Sequence, residues 1–160
     1  MAKKLTFLDK AFWITETKDS PKHVAGLQFL QLPEGENISY VTELVTELKG
    51  FTEAFSPFSD RVVAFLGFFP LKLKTVDSID MDYHIRYHEI DNVDDEGALH
   101  QMVAELHADA LDRKHPLWQY HIIASKNSRR FCIYTKVFLR SLKVTTINSF
   151  FSSIRYCSVW

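Results

Sequence analysis

Two runs rich in β-branched and aromatic residues, 120–124 and 131–137, flank a polar stretch at 125–130. They read as a hairpin, and the rest of the chain has to fold in a way that covers it. Upstream the patterns alternate between helical and extended. Thr6 with Asp9 three residues on is a capping-box start for a short helix whose apolar face is Leu8, Ala11 and Phe12. Asp19-Ser20-Pro21 signals a turn, residues 23–32 a strand, and 33–37 its end. The clearest helical period follows, with Ile38, Val41, Leu44, Val45 and Leu48 on one stripe, Glu43 and Glu47 off it, and Gly50 at the C-cap position.

After a loop at 51–60, residues 61–76 read as an extended ribbon interrupted at Gly67 and Pro70. Residues 83–90 set Tyr83, Ile85 and Tyr87 against His84, Arg86 and His88, the alternation of a half-exposed strand. A second helix follows the acids of 91–95, with Leu99, Met102, Val103, Leu106 and Ala110 inward. Pro116 is expected to stop it at a corner where Asp112 pairs with Arg113 and Trp118 is the anchor. Helices mixed with strands and hairpins predict an α/β (α+β layered) domain, a mixed sheet with flanking helices. At 160 residues, 46% hydrophobic and 14% aromatic, the chain is long and apolar enough for one packed core.

The formal net charge of −1 conceals an asymmetry. Residues 1–112 hold all 20 acids and 10 of the basic side chains, whereas 113–160 hold 9 basic residues and no acid. Arg129, Arg130, Lys136, Arg140, Lys143 and Arg155 invite a phosphate-binding reading. Phe150, Phe151, Tyr156 and Trp160 invite an interfacial one. The positives are scattered, however, and no nucleic-acid motif accompanies them, so nucleic acid is not expected as a partner. Cys132 and Cys157 form no CxxC pair and imply free thiols in a reducing compartment. The N-terminus lacks a signal-peptide core, and the longest apolar run, 62–71, is half the roughly 20 residues of a membrane span. A cytoplasmic protein is expected, peripheral at most on the inner membrane surface.

Seven histidines raise the question of metal. His84 and His88 lie four apart with Arg86 between them, and neither HExxH nor CxxC occurs, so no metal site is expected. A Gly-rich phosphate loop and a GxSxG elbow are also lacking.

Taken together, LTFLDKAFWITET with SPKHVAGLQFL, PFSDR at 57–61, Asp80-Met81-Asp82-Tyr83-His84-Ile85-Arg86, Leu106-His107, LDRKHPLW at 111–118 and FCIYTKV at 131–137 form an ordered series. The series resembles the bacterial wax ester synthase/acyl-CoA:diacylglycerol acyltransferase family over residues 5–137, with 138–160 a divergent basic, aromatic tail. The resemblance implies the first lobe of a chloramphenicol acetyltransferase-like two-lobe fold, with a tunnel between the lobes. It makes Pro116, Leu117 and Trp118 a structural family motif, and His84, His107 and His121 scaffold positions rather than metal ligands. The implied reaction is O-acyl transfer from acyl-CoA, a cosubstrate rather than a resident cofactor, to a long-chain alcohol or diacylglycerol. Its signature is His-His, three variable residues, then Asp-Gly, the second histidine serving as general base. Here Phe138 and Leu139 stand for the two histidines and Lys143-Val144 for Asp-Gly, so no catalytic residue is assigned. Gln119 likewise stands where the family has an acid. A truncated or frameshifted, inactive acyltransferase is the expectation. The alternatives are a lipid- or membrane-surface binding module, with peripheral membrane or lipid-droplet contact, and an enzyme with another base such as His121. A lobe without its partner is further expected to self-associate through its uncovered interface.

Overall fold

The computed structural model describes residues 5–50, 58–67 and 69–138. Helix α1 (Phe7–Thr15) starts at the capping box: the Thr6 N–H donates to Asp9 Oδ2 (2.7 Å) and the Asp9 N–H to Thr6 Oγ1 (3.3 Å). Strand β1 (His23–Gln31) and helix α2 (Ile38–Gly50) follow, then a hairpin of β2 (Asp60–Phe65) and β3 (Phe69–Thr75). Next come the single turn α3 (Met81–His84), β4 (Ile85–Glu89), helix α4 (Glu96–Ala108), β5 (Trp118–Ala124) and β6 (Arg130–Phe138).

The main sheet has the order β1-β6-β5-β4, antiparallel except for the parallel β4–β5 pair, so it is mixed as expected. β6 is central and pairs along its full length with β1, from Arg130 opposite Gln31 to Phe138 opposite His23. Side chains alternate between the two faces. One face carries Trp118, Tyr120, Ile122, Ile133 and Val137 and buries the α2 stripe of Val41, Leu44, Val45 and Leu48. On the other face Ile123, Cys132 and Tyr134 meet Leu99 of α4, with Met102, Val103 and Leu106 half-buried. A third cluster joins α1 to the hairpin and the end of β6 through Trp13, Val62, Leu111, Leu117 and Phe138.

Several local expectations need correction. α1 buries Asp9 and Trp13, whereas Leu8 is mostly exposed: a helix turns roughly 100° per residue, and burying the indole rotates Leu8 outward. Tyr83 and His84 belong to α3 rather than to a strand, because Asp80 Oδ1 accepts the N–H groups of Asp82 and Tyr83 and closes a helical turn. α4 ends at Ala108, well before Pro116, so Pro116 does not stop it and Ala110 is exposed. Lys136 takes over that terminus, its Nζ donating to the carbonyls of Leu106 (2.7 Å) and Asp109 (2.5 Å). Of the basic residues considered for phosphates, the described ones are engaged in the fold. Arg129 donates to the Leu32 and Pro33 carbonyls, Arg130 pairs with Asp94, and Lys136 is buried. Leu139, Arg140, Lys143, Val144 and Arg155 lie outside the described residues.

Candidate functional site

The segment between α4 and β5 is where the chain ties its clusters together. Trp118 is buried, donates Nε1–H to the Phe58 carbonyl at 2.8 Å, and meets the Phe58 ring edge-on at 5.4 Å. His84 stacks on the indole with centroids 4.0 Å apart and bonds the Trp118 carbonyl through Nδ1 at 2.7 Å. A carbonyl only accepts, so Nδ1 carries the proton and Nε2 is the bare lone pair. Burial pulls the His84 pKa down to about 4, which keeps the ring neutral. His115 stacks on Tyr83 at 4.0 Å, and the Tyr83 hydroxyl accepts the Asp112 N–H at 2.8 Å.

Arg113 does not pair with Asp112. Its guanidinium lies 4.2 Å from the Trp13 ring centroid and donates to the Trp13 carbonyl (2.8 Å) and Glu16 Oε2 (3.1 Å). Asp112 instead accepts the Lys114 N–H. Arg61 Nη1 donates to the Lys114 carbonyl at 3.1 Å, and its buried Nε has no partner among the described residues. Pro116 and Leu117 are buried within this corner. Through it α1, β2 and α3 all bear on one point, the end of β6.

At that point the Phe138 N–H donates to the Leu117 carbonyl at 3.0 Å. The Phe138 ring, 4% exposed, stands edge-on to Trp13 at 6.3 Å. Phe138 is therefore a core residue, set among Trp13, Val62, Leu111 and Leu117. Gln119, buried beside it on β5, donates Nε2–H to the Tyr83 carbonyl at 3.2 Å.

On the α4 side of the sheet lies a polar cluster that the sequence does not announce. His88 Nε2 is 3.0 Å from His121 Nδ1, and His107 Nδ1 is 2.7 Å from the Tyr134 hydroxyl. His23 meets His107 edge-on at 4.7 Å. Burial first, then the neighbouring His88, Lys136 and Arg86, lowers the His121 pKa to about 3. His23 is held at about 4 by burial and by Lys136, and burial lowers Lys136 itself to about 8. Such imidazoles are neutral at pH 7 but weak bases, far from the near-neutral pKa at which general-base catalysis works best. His84 and His88 do not share a strand face: one is on α3 against Trp118, the other on β4 against His121. Among the described residues no group of three or more His, Cys, Asp or Glu side chains is placed to hold a metal ion. No helix among them is long and apolar enough to cross a membrane.

Residues 5–138 match the family described as wax ester synthase/diacylglycerol acyltransferase catalytic domain. A Mycobacterium bovis protein named as a diacylglycerol O-acyltransferase is 31% identical over 131 residues, 81% of this chain and 29% of that protein. A Mycobacterium tuberculosis protein with the same activity in its name is 33% identical over 138 residues, 85% of this chain and 28% of that one. The chain thus spans under a third of the length of these curated relatives. Among solved structures, the wax ester synthase/diacylglycerol acyltransferase of Marinobacter aquaeolei VT8 superposes with a TM-score of 0.79 at 31% identity, over 91% of this chain and 37% of that chain. A condensation domain of the calcium-dependent antibiotic synthetase shares the fold, with a TM-score of 0.62 at 13% identity, over 86% of this chain and 34% of that one.

Proposed function

Because the chain belongs to the wax ester synthase/diacylglycerol acyltransferase family, we propose that it forms the first lobe of an O-acyltransferase. The reaction moves a fatty acyl group from acyl-CoA to the hydroxyl of a long-chain alcohol or of diacylglycerol. A base removes the hydroxyl proton, the oxygen attacks the thioester carbonyl, and the tetrahedral oxyanion collapses to ester and CoA thiolate. The observation that carries the reading is the end of β6, pinned on both sides by β1 and β5 and from below by the corner at Trp118. This is where the family's signature begins, and the lobe's contribution is to hold that point fixed.

The base itself is another matter. Phe138 and Leu139 supply no imidazole, Lys143-Val144 no Asp-Gly, and three of the seven histidines, His23, His84 and His121, are buried and weakly basic. This chain by itself therefore does not turn over, and residues 138–160 are a divergent tail. The test is release of CoA thiol from palmitoyl-CoA by the pure chain, with hexadecanol or dioleoylglycerol as acceptor. Background release is expected; turnover that His121→Ala abolishes would overturn the reading. The frameshift origin is checked separately by translating the coding DNA beyond codon 137 in the other two frames. It is wrong if neither frame yields His-His-x-x-x-Asp-Gly.

A further inference from the structure

The β2–β3 hairpin ends in an exposed apolar tip. Phe65, Leu66 and Phe69 are 58%, 80% and 56% exposed. Phe65 pairs with Phe69 across the hairpin, so both rings lie on one face at its end. Leu66, at the apex, has φ of 52°. The neighbouring Gly67, at φ 73°, adopts that left-handed backbone without steric cost, but in a leucine it costs about 1–2 kcal/mol. Turn chemistry alone would favour asparagine or glycine at residue 66. The position instead carries a large apolar side chain, at local expense and facing water.

Charge supplies the second observation. The hairpin carries three basic side chains, Arg61, Lys72 and Lys74, and one acid, Asp60, which is buried and accepts a hydrogen bond from Thr75 Oγ1. Lys72 and Lys74 are exposed, and Lys72, opposite Val63, is on the same face as the Phe65–Phe69 pair. Val63 is two residues behind Phe65, so Lys72 sits about 7 Å back from the aromatic pair. Elements that dock at a bilayer surface sink their apolar part roughly 5–10 Å, leaving cationic groups at that height among the headgroups. The inner face of the hairpin is already occupied, with Val62, Ala64 and Leu73 packed on Trp13 and Leu111.

We propose that this hairpin is an insertion tip for an anionic lipid surface: Phe65, Leu66 and Phe69 enter the headgroup–acyl boundary while Lys72 and Lys74 bind lipid phosphates. The surface is distinct from the end of β6, and the proposal stands whether or not the lobe serves acyl transfer. The same apolar tip could instead meet a second copy of the chain or another protein segment, but neither accounts for two exposed lysines spaced behind it.

The experiment is co-sedimentation of the full chain with sucrose-loaded vesicles of phosphatidylcholine, with and without phosphatidylglycerol, alongside sedimentation velocity without lipid. Leu66→Asn suits the left-handed turn, so it removes the apolar apex without unfolding the hairpin. With Phe65→Ser it is expected to weaken binding on the order of tenfold. Lys72→Gln with Lys74→Gln, both exposed and harmless to folding, is expected to remove the preference for phosphatidylglycerol and the salt dependence. Circular dichroism checks that each variant is folded. Equal partitioning of both double variants and the parent chain overturns the proposal. So does a Phe65→Ser/Leu66→Asn chain that goes from oligomer to monomer with unchanged vesicle binding, which would identify a second copy as the occupant.

Discussion

Replacing Trp118 by phenylalanine tests whether the corner is held by its hydrogen bond or only by bulk. The substitution takes the indole donor away from the Phe58 carbonyl, which it meets at 2.8 Å in a buried setting. Removing a buried donor of this kind costs about 1–3 kcal/mol. Losing the fused ring from contacts with His84 and Phe58 adds about 1 kcal/mol, judged from core truncations. The expected loss is then about 2–4 kcal/mol, a large share of a domain's typical 5–15. Trp13 provides the control: it is equally buried, but its Nε1 has no partner among the described residues. Trp13→Phe removes the same atoms without breaking a hydrogen bond and should cost about 1 kcal/mol. Urea unfolding of the two variants, followed by far-UV circular dichroism, reads the difference. With a slope near 2 kcal/mol/M, the Trp118→Phe midpoint should fall about 1–2 M and the Trp13→Phe midpoint about 0.5 M. Equal midpoints would refute the view that the indole N–H, rather than indole volume, locks the corner.

Arg113→Ala removes the guanidinium from the Trp13 face and leaves Glu16, whose side chain is 6% exposed, without its cation. A loss of about 2 kcal/mol is expected, lowering Tm by roughly 5 °C in a thermal scan. Acid should destabilise the chain earlier than carboxylates alone would dictate. His23 and His84 have folded pKa values of about 4 and His121 about 3, all below the ordinary 6.5. Between pH 6.5 and 4 the unfolded chain therefore binds more protons than the folded one. The stability that these histidines contribute is complete above pH 6.5 and is lost as pH falls through that window. Urea midpoints measured from pH 7 to 4.5 should fall with a slope exceeding one proton. A flat profile would mean that the three rings protonate in place.

Local periodicity made part of this fold legible. The stripe Val41, Leu44, Val45, Leu48 is buried as its spacing predicts, and the capping box at Thr6 and the β5–β6 hairpin form where expected, since each is settled within a few residues. Tyr83 and His84 misled because alternating Tyr-His-Ile-Arg-Tyr-His resembles a strand. The competing signal was Asp80, a capping side chain whose two hydrogen bonds outweigh the alternation for one turn. Pro116 misled similarly: Lys136, 30 residues from Leu106, caps α4 long before the proline is reached. The pairs Trp118–Phe58 and His88–His121 are separated by 60 and 33 residues. No spacing rule reaches across such distances, so only packing brings them together.

The end of β6 gains most from being seen in three dimensions. In the sequence, Phe138 is one apolar residue where the resemblance leads one to expect a histidine, and it reads as a loss. In the fold it occupies an apolar setting made by Trp13, Val62, Leu111 and Leu117, with its backbone held by Leu117 and opposite His23. An imidazole in that setting would meet the desolvation that already holds His84 near 4, making it a poor proton acceptor at neutral pH. Residue 138 is thus a structural position, one that an apolar ring fills without any buried polar atom to satisfy. On the proposed reading, the base that acyl transfer needs is therefore a side chain outside this cluster.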